Sequence, residues 1–172
     1  MAPMANPRNS ISSSGMPDIA KELAGAVDRG ETKRVKELIA QGAYVNSVSG
    51  DWTPLRRAAF RGHTAIVKIF LDANARLNDT DHAGYTALTH AAFRGRTDIV
   101  KLLLDRGADP NIRTRSQWTA LMCAAWEGHA EAVRLLLDKG ADPAPRNNRG
   151  QTARALAESA EHPSITALLP KR

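Results

Sequence analysis

The chain has 172 residues, 42% of them hydrophobic and 24% charged, the composition of a folded domain rather than a disordered one. Its single cysteine excludes a disulfide framework or a cysteine-rich zinc site, and no run of about 18 apolar residues exists to span a membrane. The net charge of +6 comes from 17 arginines and 7 lysines interleaved with 18 acids rather than blocked, which argues against a polyelectrolyte built for nucleic acid.

Residues 1–17 hold three prolines and four serines with no periodicity and are expected to be a disordered tail. From Asp18 the pattern becomes regular. Asp18 can cap a helix carrying Ile19, Leu23, Ala26 and Val27 that stops at Gly30. A second helix, with Val35, Leu38 and Ile39, ends at Gly42.

The next segment opens a motif that returns. Thr53, Thr86, Thr119 and Thr152 are 33 residues apart, and Gly62, Gly95 and Gly128 keep the same step. So do the pairs Ala58-Ala59, Ala91-Ala92 and Ala124-Ala125. In each unit the threonine caps a first helix, a glycine ends it, and a Val/Leu-rich second helix follows. Two such short helices cannot bury their apolar faces on each other alone, so the unit needs copies on either side.

A unit of 33 residues with Thr53-Pro54-Leu55, Gly62-His63, Gly128-His129, Gly107-Ala108-Asp109 and Gly140-Ala141-Asp142 resembles the ankyrin repeat. The resemblance implies an all-α solenoid of stacked helix–turn–helix units joined by hairpin-like loops, and a protein-interaction module. The units expected are 18–47, 48–80, 81–113, 114–146 and 147–172, the first and last being atypical caps. Arg154 stands where the inner repeats have leucine, and Pro170 cuts the last helix short. The sequence departs from the family pattern at Arg56, Thr89 and Met122, where a histidine is usual. It departs again at Asp51 and Gln117, where the hairpin has glycine at Gly84 and Gly150. Those two hairpins are expected to be shaped differently.

No catalytic constellation is found. His63, His129 and His162 recur at one place in their repeats and are expected to serve the turn between helices rather than a metal. His129-Ala130-Glu131 lacks the downstream cysteine pair of a zinc deaminase. There is no glycine-rich phosphate loop, and Cys123, beside two alanines in a helix, reads as buried and inert. No cofactor, metal or enzymatic activity is expected.

The informative residues are the aromatics. Six of the eight fall at two recurring places, so that Trp52/Arg56/Phe60, Tyr85/Thr89/Phe93 and Trp118/Met122/Trp126 form i, i+4, i+8 stripes. Stacked repeats would set these side by side on the inner, concave surface, framed by Arg57, Arg61, Arg94 and Arg115, with Glu127 beside Trp126. Either the rings stack into a ladder between repeats or they form an open floor for a partner. An aromatic floor with an arginine rim suits an extended protein segment with apolar anchors and acidic groups. Two alternatives compete. One is an aromatic cage of Trp118, Trp126, Tyr85 or Phe93 and Glu127 for methyl-lysine or another cation, against which the arginine rim argues. The other is stacking of single-stranded nucleic acid, which needs rings spaced for successive bases. Self-association through the aromatic face stays open, and the cytoplasm is the default location, with nuclear and host-cell locations open as well.

Overall fold

The computed structural model describes residues 18–171, and the segment 1–17, expected to be a disordered tail, lies outside them. The described residues form ten helices in five consecutive pairs: α1 (Ile19–Arg29) with α2 (Thr32–Ala40), α3 (Pro54–Arg61) with α4 (Thr64–Asp72), α5 (Ala87–Phe93) with α6 (Thr97–Asp105), α7 (Ala120–Glu127) with α8 (Ala130–Asp138), and α9 (Ala153–Ser159) with α10 (Pro163–Leu168). Among the described residues there is no strand beyond an isolated bridge between Ser49 and Trp52. The fold is an all-α solenoid.

Local chemistry starts each first helix. Thr53, Thr86, Thr119 and Thr152 sit in extended backbone, and each hydroxyl accepts from the amide three residues on, at 3.1–3.3 Å. At Thr86 the cap is reciprocal, since its own amide donates to Thr89 Oγ1 at 2.6 Å. Pro54 pre-sets the first turn of α3, where its missing N–H is no loss.

The first helices form an inner row, α1, α3, α5, α7 and α9, and the second helices an outer row. The six paired alanines are fully buried at the inner junctions. With only a methyl to interpose, first helices approach each other closely and pack more extensively than their outer partners do. One continuous core runs from Leu23 to Leu169, filled between rows by Ile66, Phe70, Ile99, Leu103, Val133 and Leu136. At the C-terminal end Arg154 replaces the repeat's leucine, and its Nη1 donates to the carbonyls of Thr166 and Leu169 at 2.6 and 2.8 Å. It thereby closes the shortened α10, whose last carbonyls have no following turn.

The sequence predicts that the recurring histidines serve the turn between their helices, and the structure corrects this. They reach back one repeat. The ring Nε2 of His63, His129 and His162 lies 3.1–3.4 Å from the carbonyls of Asp28, Phe93 and Trp126, so each ring ties the start of one outer helix to the end of the preceding inner helix. An asparagine series does the same lower down: Asn46, Asn78 and Asn111 each accept, through Oδ1, the amide of Arg76, Asp109 or Asp142 in the next repeat, at 2.8–3.0 Å.

The hairpins correct another expectation. Gln117 takes the left-handed conformation at φ 63°, so its loop keeps the shape made by Gly84 and Gly150. The first hairpin does differ. Asp81, Thr114 and Asn147 each close a hairpin with the residue four positions on, through both backbone and side chain. Val48 holds that place in the first hairpin and has no side-chain acceptor, so Ser49 pairs with Trp52 instead and the turn is one residue shorter.

Gly95 meets two demands at once: its φ is +61°, and a Cβ there would stand 2.5 Å from the His129 ring. Gly107, at φ +89° with nothing within 4 Å, meets only the first. Gly107→Ala should cost about 1–2 kcal/mol in urea unfolding, and Gly95→Ala more, because the ring must also be displaced. Adding His129→Ala to Gly95→Ala should recover that excess. Strict additivity of the two substitutions would show that the ring does not seat on the glycine.

Candidate binding face

The sequence predicts three parallel stripes on the inner row, and the structure breaks each stripe at its centre. Arg56 and Met122 are only 2% and 1% exposed, and Thr89, which shares their register, is buried as well. This third position after the capping threonine faces a neighbouring repeat rather than the groove. Arg56 and Met122 are therefore not surface a partner could touch. The rings above and below them survive as surface, unequally.

At the junction of the second and third repeats the rings pack on one another. The Trp52 and Phe60 rings meet at 5.3 Å, bridging two helical turns. Trp52 stacks at 4.7 Å and 30° on His90 of the next repeat, and Tyr85 stacks on the same imidazole at 5.3 Å and 21°. The Phe60 ring meets His90 edge-on at 5.7 Å. His90, which the sequence reading did not single out, is thus the hub of a closed four-ring cluster. The available signal was register: Arg57, His90 and Cys123 occupy one repeat position, and the structure half-buries the first and buries the other two.

Buried charge surrounds this cluster. The Asp81 carboxylate accepts from the amides of Ala83 and Tyr85 at 3.0 and 2.8 Å and lies 3.3 Å from His90 Nε2, without the alignment of a hydrogen bond. Arg56 Nη2 donates to the Asp51 carbonyl at 2.5 Å, while its Nε and Nη1 are buried with no protein partner. Burial lowers the Arg56 pKa, and Asp81, Asp51 and Asp79 oppose that shift. Burial likewise holds the His90 imidazole below its ordinary value; Asp81 pulls the other way and Arg56 adds to the lowering.

From the third repeat onward the face opens. Phe93 is 38% and Trp126 40% exposed, and Trp118, half-buried, meets Trp126 edge-on at 6.4 Å and 84°. The arginine rim is partly spent on the protein itself. Arg57 and Arg61 both grip the Asp28 carboxylate, at 2.7 and 2.9 Å, and Arg94 lies over the Phe60 ring at 4.8 Å. Arg115 and Glu127 are exposed beside the open part.

Elsewhere the chemistry is quiet. Among the described residues no group of three or more His, Cys, Asp or Glu side chains is placed to hold a metal ion. Cys123 is buried between inner helices, and burial pushes its thiol up to about 12, so the reactive thiolate does not form near neutral pH. No helix among the described residues is long and apolar enough to cross a membrane.

Comparison with known families agrees with this architecture. Residues 23–114 match a family model described as ankyrin repeats in three copies, and residues 95–137 match one described as ankyrin repeats in many copies. A search of curated proteins finds no match.

His90 provides a pH test of the ring cluster. The folded chain holds the imidazole below the value of about 6.5 that it has in the unfolded chain, so unfolding takes up a proton as the pH falls. Its contribution is complete above that value and is lost as the pH drops through the lower, folded one. Asp81, Arg56 and Asp51 are the charged groups that act on the ring. Stability should therefore decline as the pH falls below about 6.5, and His90→Phe, which keeps a stacking ring without a proton site, should flatten the decline. An equal slope in both proteins would mean that His90 is not held neutral.

Proposed function

The chain belongs to the ankyrin-repeat family, and we propose that it is a non-catalytic adaptor holding an extended segment of another protein on its inner face. Ankyrin repeats generally mediate protein–protein interaction. The observation that carries the finer reading is the exposure of Phe93 and Trp126, one repeat apart, on a row whose other apolar residues are buried or half-buried. Trp118 backs Trp126 from the side and fixes its ring, which lowers the entropy cost of using it as an anchor. An exposed, pre-positioned aromatic pair is what an apolar side chain of a partner needs, and aromatics dominate such interfaces energetically.

The cation-cage alternative loses a wall. The Tyr85 face is stacked on His90, and Trp118 meets Trp126 edge-on, so these rings do not converge on one point. Partner contact is assigned to Trp118, Trp126, Phe93 and Glu127, with Trp52, Tyr85 and Phe60 supporting the face from beneath its edge. Arg57, Arg61 and Arg94 tie their repeats to the preceding one and present only their remaining N–H groups.

Selection of a random displayed peptide library on the full chain tests this reading. Enriched peptides should share an apolar anchor, and Trp126→Ala or Phe93→Ala should weaken them about tenfold or more with little change in unfolding midpoint, since both side chains are partly exposed. Peptides that bind Trp126→Ala and Phe93→Ala as tightly as the parent would refute the assignment. If a second copy covers the face instead, the parent will sediment as a dimer and Trp126→Ala as a monomer.

A further inference from the structure

The hairpin tips divide by charge along the stack. The first two, residues 46–52 and 79–85, carry Asp51, Asp79 and Asp81 and no lysine or arginine. The next two, residues 112–118 and 145–151, carry Arg113, Arg115, Arg146 and Arg149 and no carboxylate. The two halves also differ in how far their charges are already answered. Asp51 bonds the His82 ring and backbone amide, Asp81 is occupied by the Ala83 and Tyr85 amides, and Asp79 lies 3.9 Å from Arg76. None of the four arginines pairs with a carboxylate among the described residues. Arg113 and Arg146 each give one N–H to a backbone carbonyl, at 2.6 and 2.7 Å, and all four residues are exposed.

We infer that these two arginine hairpins are the acid-reading half of the binding face. They would receive Asp or Glu carboxylates of a partner protein segment whose apolar residue rests on Trp126 and Phe93. The inference rests on the adaptor reading above and adds to it a position and a direction. Trp118 closes the hairpin that bears Arg113 and Arg115, through its carbonyl and amide to Thr114, so the arginines are joined directly to the aromatic floor. A segment anchored on Trp126 then needs only a few extended residues, at about 3.3 Å each, to bring its acids to the tips. Arg57 and Arg61, already gripping Asp28, are not the readers. The guanidinium plane suits paired N–H···O contacts to carboxylates, and four uncompensated charges in two adjacent loops would steer an acidic segment toward this end of the stack. A protein segment is favoured over a nucleic-acid strand for two reasons. No ring alternates with the four arginines at the tips, and Glu127 adjoins the exposed Trp126 ring where a phosphate backbone would pass.

The test repeats the displayed-peptide selection with the full chain and with R115E/R149E, two exposed side chains with no hydrogen bonds of their own to lose. Parent-selected peptides should combine an apolar residue with Asp or Glu, and R115E/R149E should bind them about tenfold more weakly, since attraction becomes repulsion at two points. Peptides selected on R115E/R149E should keep the apolar residue and lose the acids. Pools of equal charge that still require Trp126 would overturn the fingertip assignment and leave the adaptor reading standing. No enrichment on the parent would remove both. A single-stranded thymidine homopolymer that binds the parent more tightly than the selected peptides, and binds R115E/R149E less, would reassign the arginines to nucleic acid.

Discussion

Everything in this molecule depends on how closely one inner helix can approach the next. The paired, fully buried alanines help to set that distance, because each leaves only a methyl there. Once the inner helices are that close, the bulky Ile, Val, Leu and Phe residues pack between the rows. Among the exposed large side chains, Phe93 and Trp126 stand at the inner helix ends. The aromatic floor is a consequence of the alanine junction as much as a separate feature of the sequence.

Close approach also explains why the repeat boundaries are tied by polar groups to the backbone. A helix of six to eleven residues is too short to persist alone, so its ends must be held by its neighbours. The histidine rings and the asparagine amides supply those ties at two heights, each joining one repeat to the next. Where histidine is replaced by Arg96, the longer side chain lies in the same place over Gly62, with its Nε 2.7 Å from where a Cβ would be. The position demands a side chain that folds back, and two different chemistries meet it.

This distinction separates what was legible in the sequence from what was not. Threonine caps, left-handed stops and paired alanines act within one turn of their own positions, so their spacing alone revealed helices, ends and repeat. The fates of Arg56, Met122 and His90 depend on contacts one repeat away. A stripe at i, i+4, i+8 treats a helix as a cylinder lying against a single neighbour, yet an inner helix here is flanked on both sides and capped by a hairpin. Position three after the threonine is buried in each of the three central repeats, whether it holds arginine, threonine or methionine. Place, not residue type, decided burial. The same limit hid the pairing of Arg57 and Arg61 with Asp28, which lies 29 and 33 residues back.

Arg56 shows how the two halves of the face come to differ. Burying a guanidinium with two N–H-bearing nitrogens unpartnered is costly, and the nearby carboxylates at Asp51, Asp79 and Asp81 offset part of that cost. With those acids engaged within the protein and Trp52, His90, Tyr85 and Phe60 stacked beside them, the second and third repeats form a closed junction. At the equivalent place the fourth repeat has Met122, an apolar side chain that needs no counter-charge, and no acid stands in its hairpin. Its arginines are left unanswered and its tryptophan uncovered. One buried residue, charged in the second repeat and neutral in the fourth, therefore accompanies the difference between the hairpins whose acids are engaged within the protein and those whose arginines have no carboxylate partner among the described residues.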